Sequence, residues 1–265
     1  MGISIVVTSG KGGVGKTTTT ANISTGLAML GKKVVAIDAD TGLRNLDLHL
    51  GLENRIVYNL VDVVEGVCRL KQALIKDKRY ENLYLLPTAQ TRDKTAVKPE
   101  QMEKLVNELK EEFDYIVIDC PAGIEHGFEN AVAGADMAVV VTTPEVSAVR
   151  DADRIIGKLE AKGLDNHQLI INRIKYEMTK KGEMLNIDDM TDILAIKLLG
   201  IVPEDEKIVI STNRGEPVIT DEGAKAGQAY KNIVRRITGE EVPFIDFEDE
   251  NTGFFSALKK FFFKK

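Results

Sequence analysis

The sequence predicts a doubly wound α/β fold, with a mostly parallel sheet of about seven or eight strands and helices on both faces. Three observations predict it. Short apolar runs rich in β-branched residues recur, as strands buried on both faces require. Amphipathic stretches long enough for crossover helices separate them, and no repeat or low-complexity tract interrupts the alternation before about Thr238.

The elements follow in chain order. Ile3 to Thr8 is the first strand and Thr17 to Leu30 the first helix. Strands follow at Lys33 to Asp38 and Leu83 to Leu86, then a helix at Pro99 to Glu112. Strands at Tyr115 to Asp119 and Met137 to Thr142 precede a helix at Val146 to Ala161. Strands at Leu169 to Asn172 and Leu198 to Val202 and a helix at Ala224 to Ile237 complete the pattern. Residues 1–238 are therefore expected to form one domain.

Composition supports a globular reading. The chain has 265 residues, 43% hydrophobic and 29% charged, with 35 basic and 41 acidic side chains for a net charge of -6. Disordered, collagenous and disulfide-stapled classes are excluded. Cys68 and Cys120 are too far apart for a CxxC element, so a reducing, cytoplasmic setting is expected. No apolar run approaches the roughly 18 residues of a membrane span, and no basic-then-apolar leader opens the sequence. A myristoylation reading of Met1-Gly2 fails at Val6, where that motif wants Ser or Thr.

Between the first strand and first helix lies Gly10-Lys11-Gly12-Gly13-Val14-Gly15-Lys16-Thr17, a match to GxxxxGK[ST] in the context that motif needs. Glycines let the backbone curl until successive N–H groups point at phosphate oxygens, and the helix N-terminus adds partial positive charge. Lys16 would hold the β- and γ-phosphates and Thr17 a Mg²⁺ ion, with Thr18 following in the same turn. Two further strands deliver carboxylates to the same sheet edge, where open α/β folds bind ligands. Asp38 and Asp40 end the second strand, and Asp119 ends Tyr115-Ile116-Val117-Ile118-Asp119 before Cys120-Pro121-Ala122-Gly123. Asp119 suits a Walker B acid that bonds metal-bound water and Thr17. Gly123 could bring its N–H close to the γ-phosphate because no side chain intervenes.

Lys11 is unusual, because a simple phosphate loop needs no lysine near its start. The GKGGVGKT loop, with DADTGLRNLDLHLGL and IDCPAGIE, resembles the deviant Walker A of the MinD/ParA ATPases, and the likeness runs over essentially the whole chain. That resemblance implies hydrolysis of ATP with Mg²⁺ by a homodimer, slow in isolation and stimulated by a partner. It implies that Lys11 crosses the dimer interface to the partner's phosphates, against the bland alternative of a solvated lysine on a glycine turn. It makes Asp38 the metal-side acid and gives Asp40, with Asn45, the attacking water. Asn172-Arg173 and Pro203-Glu204-Asp205 resemble the adenine-recognition segments, although a strand-end Asn also caps turns. Asp151 and Asp153 match a partner-docking surface for a MinC-type division inhibitor and, in many members, a MinE-type activator. Acids at a helix N-terminus are equally explained by the helix dipole.

After Thr238 the composition changes. Residues 239–252 carry six acids and no base, an acidic linker with one apolar staple at Pro243 to Ile245. Residues 253–265 carry four lysines, five phenylalanines and no acid, which leaves -10 for the remainder. At helical spacing Phe254, Phe255, Leu258, Phe261 and Phe262 fall within an arc of about 120°, with Lys259 and Lys260 outside it. That pattern reads as an interfacial membrane anchor for an anionic lipid surface, the alternative being a helix docked on its own domain. The combined expectation is an ATP-dependent dimerising switch, peripheral on the cytoplasmic face of the cell membrane, that places a septum inhibitor and is released by hydrolysis. A ParA-like DNA-partition ATPase is the alternative from the same motifs. The acidic balance outside the tail counts against it.

Overall fold

The structure, a computed structural model, describes residues 1–41, 44–89, 96–123 and 126–244. Its eight strands are β1 (Ile3–Thr8), β2 (Val34–Asp38), β3 (Ile75–Lys76), β4 (Leu83–Leu86), β5 (Tyr115–Asp119), β6 (Met137–Thr142), β7 (His167–Ile174) and β8 (Lys197–Pro203). They form one sheet in the order β3-β4-β2-β5-β1-β6-β7-β8, parallel throughout except for β3, which runs antiparallel to β4. The helices are α1 (Lys16–Met29), α2 (Leu46–Leu50), α3 (Leu60–Val64), α4 (Leu70–Ala73), α5 (Pro99–Lys110) and α6 (His126–Val132). Then come α7 (Val146–Ala161), α8 (Tyr176–Lys180), α9 (Ile187–Leu194), α10 (Lys207–Asn213) and α11 (Lys225–Ile237).

Every predicted strand and long helix is present, with ends unchanged or moved by at most two residues. Sequence patterning missed β3 and the short helices α2, α3, α4, α6, α8, α9 and α10. None is longer than eight residues, too short to establish a period.

Alternation along the strands divides the interior into two cores. Val6, Ile116, Ile118 and Val140 face a layer containing Leu105 of α5 and Ile155 of α7. Ile5, Val7, Val117 and Val139 face Ile23 of α1, Leu50 of α2 and Tyr230 of α11. Burial on both faces removes the polar alternation of a one-sided sheet. Helix α1 is almost entirely buried, although its sequence is rich in Thr, Ser and Asn. Several of its polar groups are paired: Thr20 and Ser24 hydroxyls bond to Lys16 and Thr20 carbonyls, and Asn22 accepts from the Ile219 N–H at 2.8 Å, while the buried Thr25 hydroxyl has no hydrogen-bond partner. Gly26 lets α11 close on α1, because a Cβ there would meet Val234 Cγ2 at 2.7 Å.

The order places the carboxyl ends of β2, β5 and β1 side by side, with Asp38 paired in register to Asp119. Open parallel sheets bind ligands at such an edge. Beyond α11 the chain folds back. Arg236 donates to the carbonyls of Leu199 (3.0 Å), Val242 (2.9 Å) and Pro243 (2.8 Å), and its guanidinium lies 4.1 Å from the Phe244 ring centre. Residues 245–265, including Phe254, Phe255, Leu258, Lys259, Lys260, Phe261 and Phe262, lie outside the described residues. Among the described residues no helix is long and apolar enough to cross a membrane.

Candidate nucleotide-binding site

The loop of residues 9–15 joins β1 to α1, and its glycines serve different physical ends. Gly13 (φ 78°) and Gly15 (φ 99°) occupy the left-handed region, which an L side chain enters only with strain. Gly12 faces open space. Gly10 is required for close approach, since a Cβ there would run into the backbone and Cβ of Asp151 on α7. Gly15 also abuts the Asn172 amide, which leaves no room for a methyl group. No side chain caps the N-terminus of α1, so its first N–H groups remain available to an anion.

Lys16 opens α1 with only 8% of its surface exposed. Its charge opposes the rise in the Asp119 pKa, against burial, which pushes that carboxyl up to about 6. The hydroxyls of Thr17 and Thr20 act with Lys16, Thr20 donating to Asp119 Oδ1 at 3.1 Å. Asp38 is held well above the usual carboxylate range, first by burial and then by Asp119. It nevertheless accepts from the Asp40 N–H at 3.0 Å and the Leu46 N–H at 3.3 Å. One carboxylate therefore ties the end of β2 to the start of α2, where Asn45 is exposed at the N-cap. Thr18 contributes its carbonyl to Asn22.

Two acids in a dry site beneath a glycine loop fit a polyphosphate with a divalent cation. Burial, and to a lesser degree neighbouring carboxylates, raises their pKa values, and a cation would favour the ionised forms. The Thr17 hydroxyl and the Asp38 and Asp119 carboxylates are oxygen donors, the kind Mg²⁺ takes. Cys120 is adjacent but chemically quiet, its thiol pushed up to about 12 by burial.

Lys11 stands apart from this cluster. Its Nζ lies 3.1 Å from Glu145 Oε2 and 3.2 Å from Ser147 Oγ, at the start of α7. Sequence reasoning missed both partners, because 134 residues separate Lys11 from Glu145. It missed Thr20 as well, although the place of this residue one turn beyond Lys16, on a helix that faces the strand end of Asp119, was a signal.

The remaining predicted residues stand in the following surroundings. The Asn172 amide donates to the Val14 carbonyl at 2.7 Å and accepts from the Arg173 N–H at 3.0 Å, Arg173 itself standing at φ 59°. Pro203 ends β8, Glu204 is exposed, and Asp205 accepts from the N–H groups of Lys207 (2.9 Å) and Ala226 (3.0 Å). The Gly123 N–H donates to the Ser9 carbonyl at 3.1 Å. Asp151 and Asp153 lie on α7, Asp153 exposed and Asp151 half-buried beside Gly10.

The AAA domain family matches residues 2–171. The septum site-determining protein MinD of Bacillus subtilis (strain 168) is 58% identical over 264 residues, covering 99% of this chain and 98% of that protein. Among solved structures, the MinC:MinD cell division protein complex of Aquifex aeolicus matches at 53% identity and a TM-score of 0.87, covering 92% of this chain and 99% of that one. The MinD of Pyrococcus horikoshii OT3 complexed with Mg-ADP matches at 32% identity and a TM-score of 0.81, covering 89% and 96%.

Proposed function

The chain belongs to the MinD family of septum site-determining proteins, and we propose that it is an ATP-dependent dimerising switch that places a MinC-type division inhibitor on an anionic membrane surface. The observation that carries this reading is the division of labour between the two loop lysines. Lys16 is buried among the acids of its own site, whereas Lys11 rests on Glu145 and Ser147 at the surface.

Lys11 and Glu145 side chains are 42% and 57% exposed, and a pair of that kind contributes only about 0.2–1 kcal/mol. The phosphates of a second copy present several negative charges and would displace it. Within one copy, the N–H groups of residues 13–17 and Lys16 bind and orient the phosphates. Thr17, Asp38 and Asp119 would hold Mg²⁺, which supplies charge neutralisation on the transferring group. Asp40 and Asn45 stand at the switch segment to position the attacking water. Gly123 must exchange Ser9 for a phosphate oxygen if it is to sense hydrolysis. Adenine is taken between the segments after β7 and β8, at Asn172-Arg173 and Pro203-Glu204-Asp205. Without the second lysine turnover is slow, and a MinE-type activator acting at α7 near Asp151 and Asp153 would accelerate it.

The tail supplies the output. One short helix with a Phe-rich face binds lipid weakly, and two on a dimer gain avidity of about 10²–10⁴. The chain therefore attaches when ATP-bound and leaves after hydrolysis. Cosedimentation with phosphatidylglycerol vesicles tests this, using ATP, ADP and a protein lacking residues 253–265. Retention only with ATP and only with the tail is expected. Equal retention with ADP, or no effect of deletion, would sink the reading.

A further inference from the structure

We propose that Arg79 is a positioning residue that locks the switch helix α2 to the base-side helix α10, so that the γ-phosphate end and the adenine end of the site respond as one unit. Both helices begin at the nucleotide edge of the sheet. α2 follows the switch segment, its first N–H bonded to Asp38, and α10 follows Pro203-Glu204-Asp205, its first N–H bonded to Asp205. Their far ends meet. Gly51 after α2 and Gly215 after α10 both stand at φ 65°, backbone against backbone. A Cβ at Gly215 would lie 2.6 Å from Gly51 Cα, and one at Gly51 would lie 2.8 Å from the Gly215 carbonyl oxygen.

Arg79 closes this junction. Its guanidinium donates to the Leu50 carbonyl at 2.7 Å and to the Gly215 carbonyl at 2.9 Å, one bond to each helix end. The turn that carries it joins β3 to β4. Leu83 of β4 pairs with Val34 of β2, so that turn flanks the opposite sheet edge from Asp38. Asp77 fixes the turn, its Oδ1 accepting from the Arg79 N–H at 2.6 Å and the Tyr80 N–H at 3.1 Å. Asp77 Oδ2 lies 3.3 Å from the guanidinium. Because Asp77 is only 3% exposed, its charge needs Arg79 as counter-ion, and Arg79 is thereby held in the orientation that reaches both carbonyls. A rigid brace between two ligand-facing helices carries displacement from one to the other, because packed backbone has no slack to absorb it. The planar fork is essential. A lysine could neutralise Asp77 but presents a single point charge to three acceptors.

The proposal rests on ATP being the ligand of the site. Hydrogen exchange of the full chain would be followed over residues 46–50 and 207–213 with Mg-ADP or Mg-AMPPNP. Lys11→Ala protein would be used, so that contact between copies does not contribute. Both segments are expected to change protection between the two nucleotides. In Arg79→Lys on that background, residues 46–50 should keep the difference and residues 207–213 should lose it, while the melting temperature stays near the parent's. Gly215→Ala, which wedges the junction apart, should give the same loss if the lysine variant does not fold. An undiminished difference over 207–213 in either variant overturns the brace, as does no difference there in the parent. Failure of the parent to bind either nucleotide overturns the function proposed above instead.

Discussion

Replacing Asn172 by Ala separates two roles that the same side chain could hold. If Asn172 acts through the phosphate loop, its contribution is the 2.7 Å bond to the Val14 carbonyl, which pins the chain just before Gly15 turns at φ 99°. Asn172 is only 2% exposed, so its loss leaves a buried carbonyl without that donor, costing about 1–3 kcal/mol. Part appears as stability, at about 2–4 °C per kcal/mol for a domain of this size. The rest appears as affinity, because an unpinned loop must be ordered when phosphate binds. A loss of about 1–2 kcal/mol on binding corresponds to roughly 5- to 30-fold in Kd. Calorimetric titration with Mg-ATP and with Mg-tripolyphosphate, which has no base, reads the difference. Bracing predicts that Asn172→Ala weakens both ligands by the same factor. Weaker ATP binding with unchanged tripolyphosphate binding would refute bracing and assign Asn172 to the adenine edge.

Other expectations follow from the same geometry. Gly10→Ala should cost about 1–3 kcal/mol of stability by driving a methyl group into Asp151 and should shift the loop, lowering Mg-ADP affinity. Gly12→Ala, in open space, should leave the melting temperature of the empty protein within the equivalent of about 0.5 kcal/mol; an equal loss in both variants would contradict the packing argument. The Asp119 pKa rises on folding from 3.8 to about 6, so the folded empty protein holds a proton that the unfolded chain releases. Its stability should fall as pH rises through that window and stay reduced above it, and Asp119→Asn should flatten this part of the profile in thermal melts. Mg-ADP binding should favour the ionised acid. Calorimetry in buffers of different ionisation enthalpy should find more proton release at pH 6 than at pH 8, with the excess absent in Asp119→Asn.

The sheet and its ligand edge were legible because buried parallel strands write continuous apolar runs, and because GKGGVGKT, Asp38 and Asp119 each sit where a strand stops. The loop glycines were legible as a group but not individually. Only the structure distinguishes Gly15, set by backbone angle, from Gly10, set by the approach of α7. What sequence did not carry is pairing at a distance. Nothing local at Arg79 announces Leu50 and Gly215, and nothing at Lys11 announces Glu145, because these contacts are created by chain crossings that no short period encodes. Asn172 shows the same limit in another form. Its residue type and strand-end place suited base recognition, while its bond to Val14 depends on β7 lying beside β6 and facing the loop.

The two buried acids bear on why such a site should be coupled to assembly. Asp38 and Asp119 stand in register on adjacent strands, and desolvation disfavours ionising either one. The site is thus poised to take a cation with its polyphosphate, and Lys16 cannot by itself offset both acids together with a triphosphate. A further positive charge brought to the phosphates has more effect here than in water, because the surroundings screen it poorly. Lys11 is the loop cation left outside, on an exposed pair whose loss costs little. Its transfer to a second copy's phosphates would exchange a weak screened contact for a stronger one. Lys11→Arg should therefore preserve charge yet impair dimerisation, since a planar fork of five donors does not reproduce the compact point charge of an ammonium. Analytical ultracentrifugation with Mg-AMPPNP should find a monomer for Lys11→Ala and a weakened dimer for Lys11→Arg. An Arg variant that dimerises as tightly as the parent would mean that charge alone, and not its shape, bridges the copies.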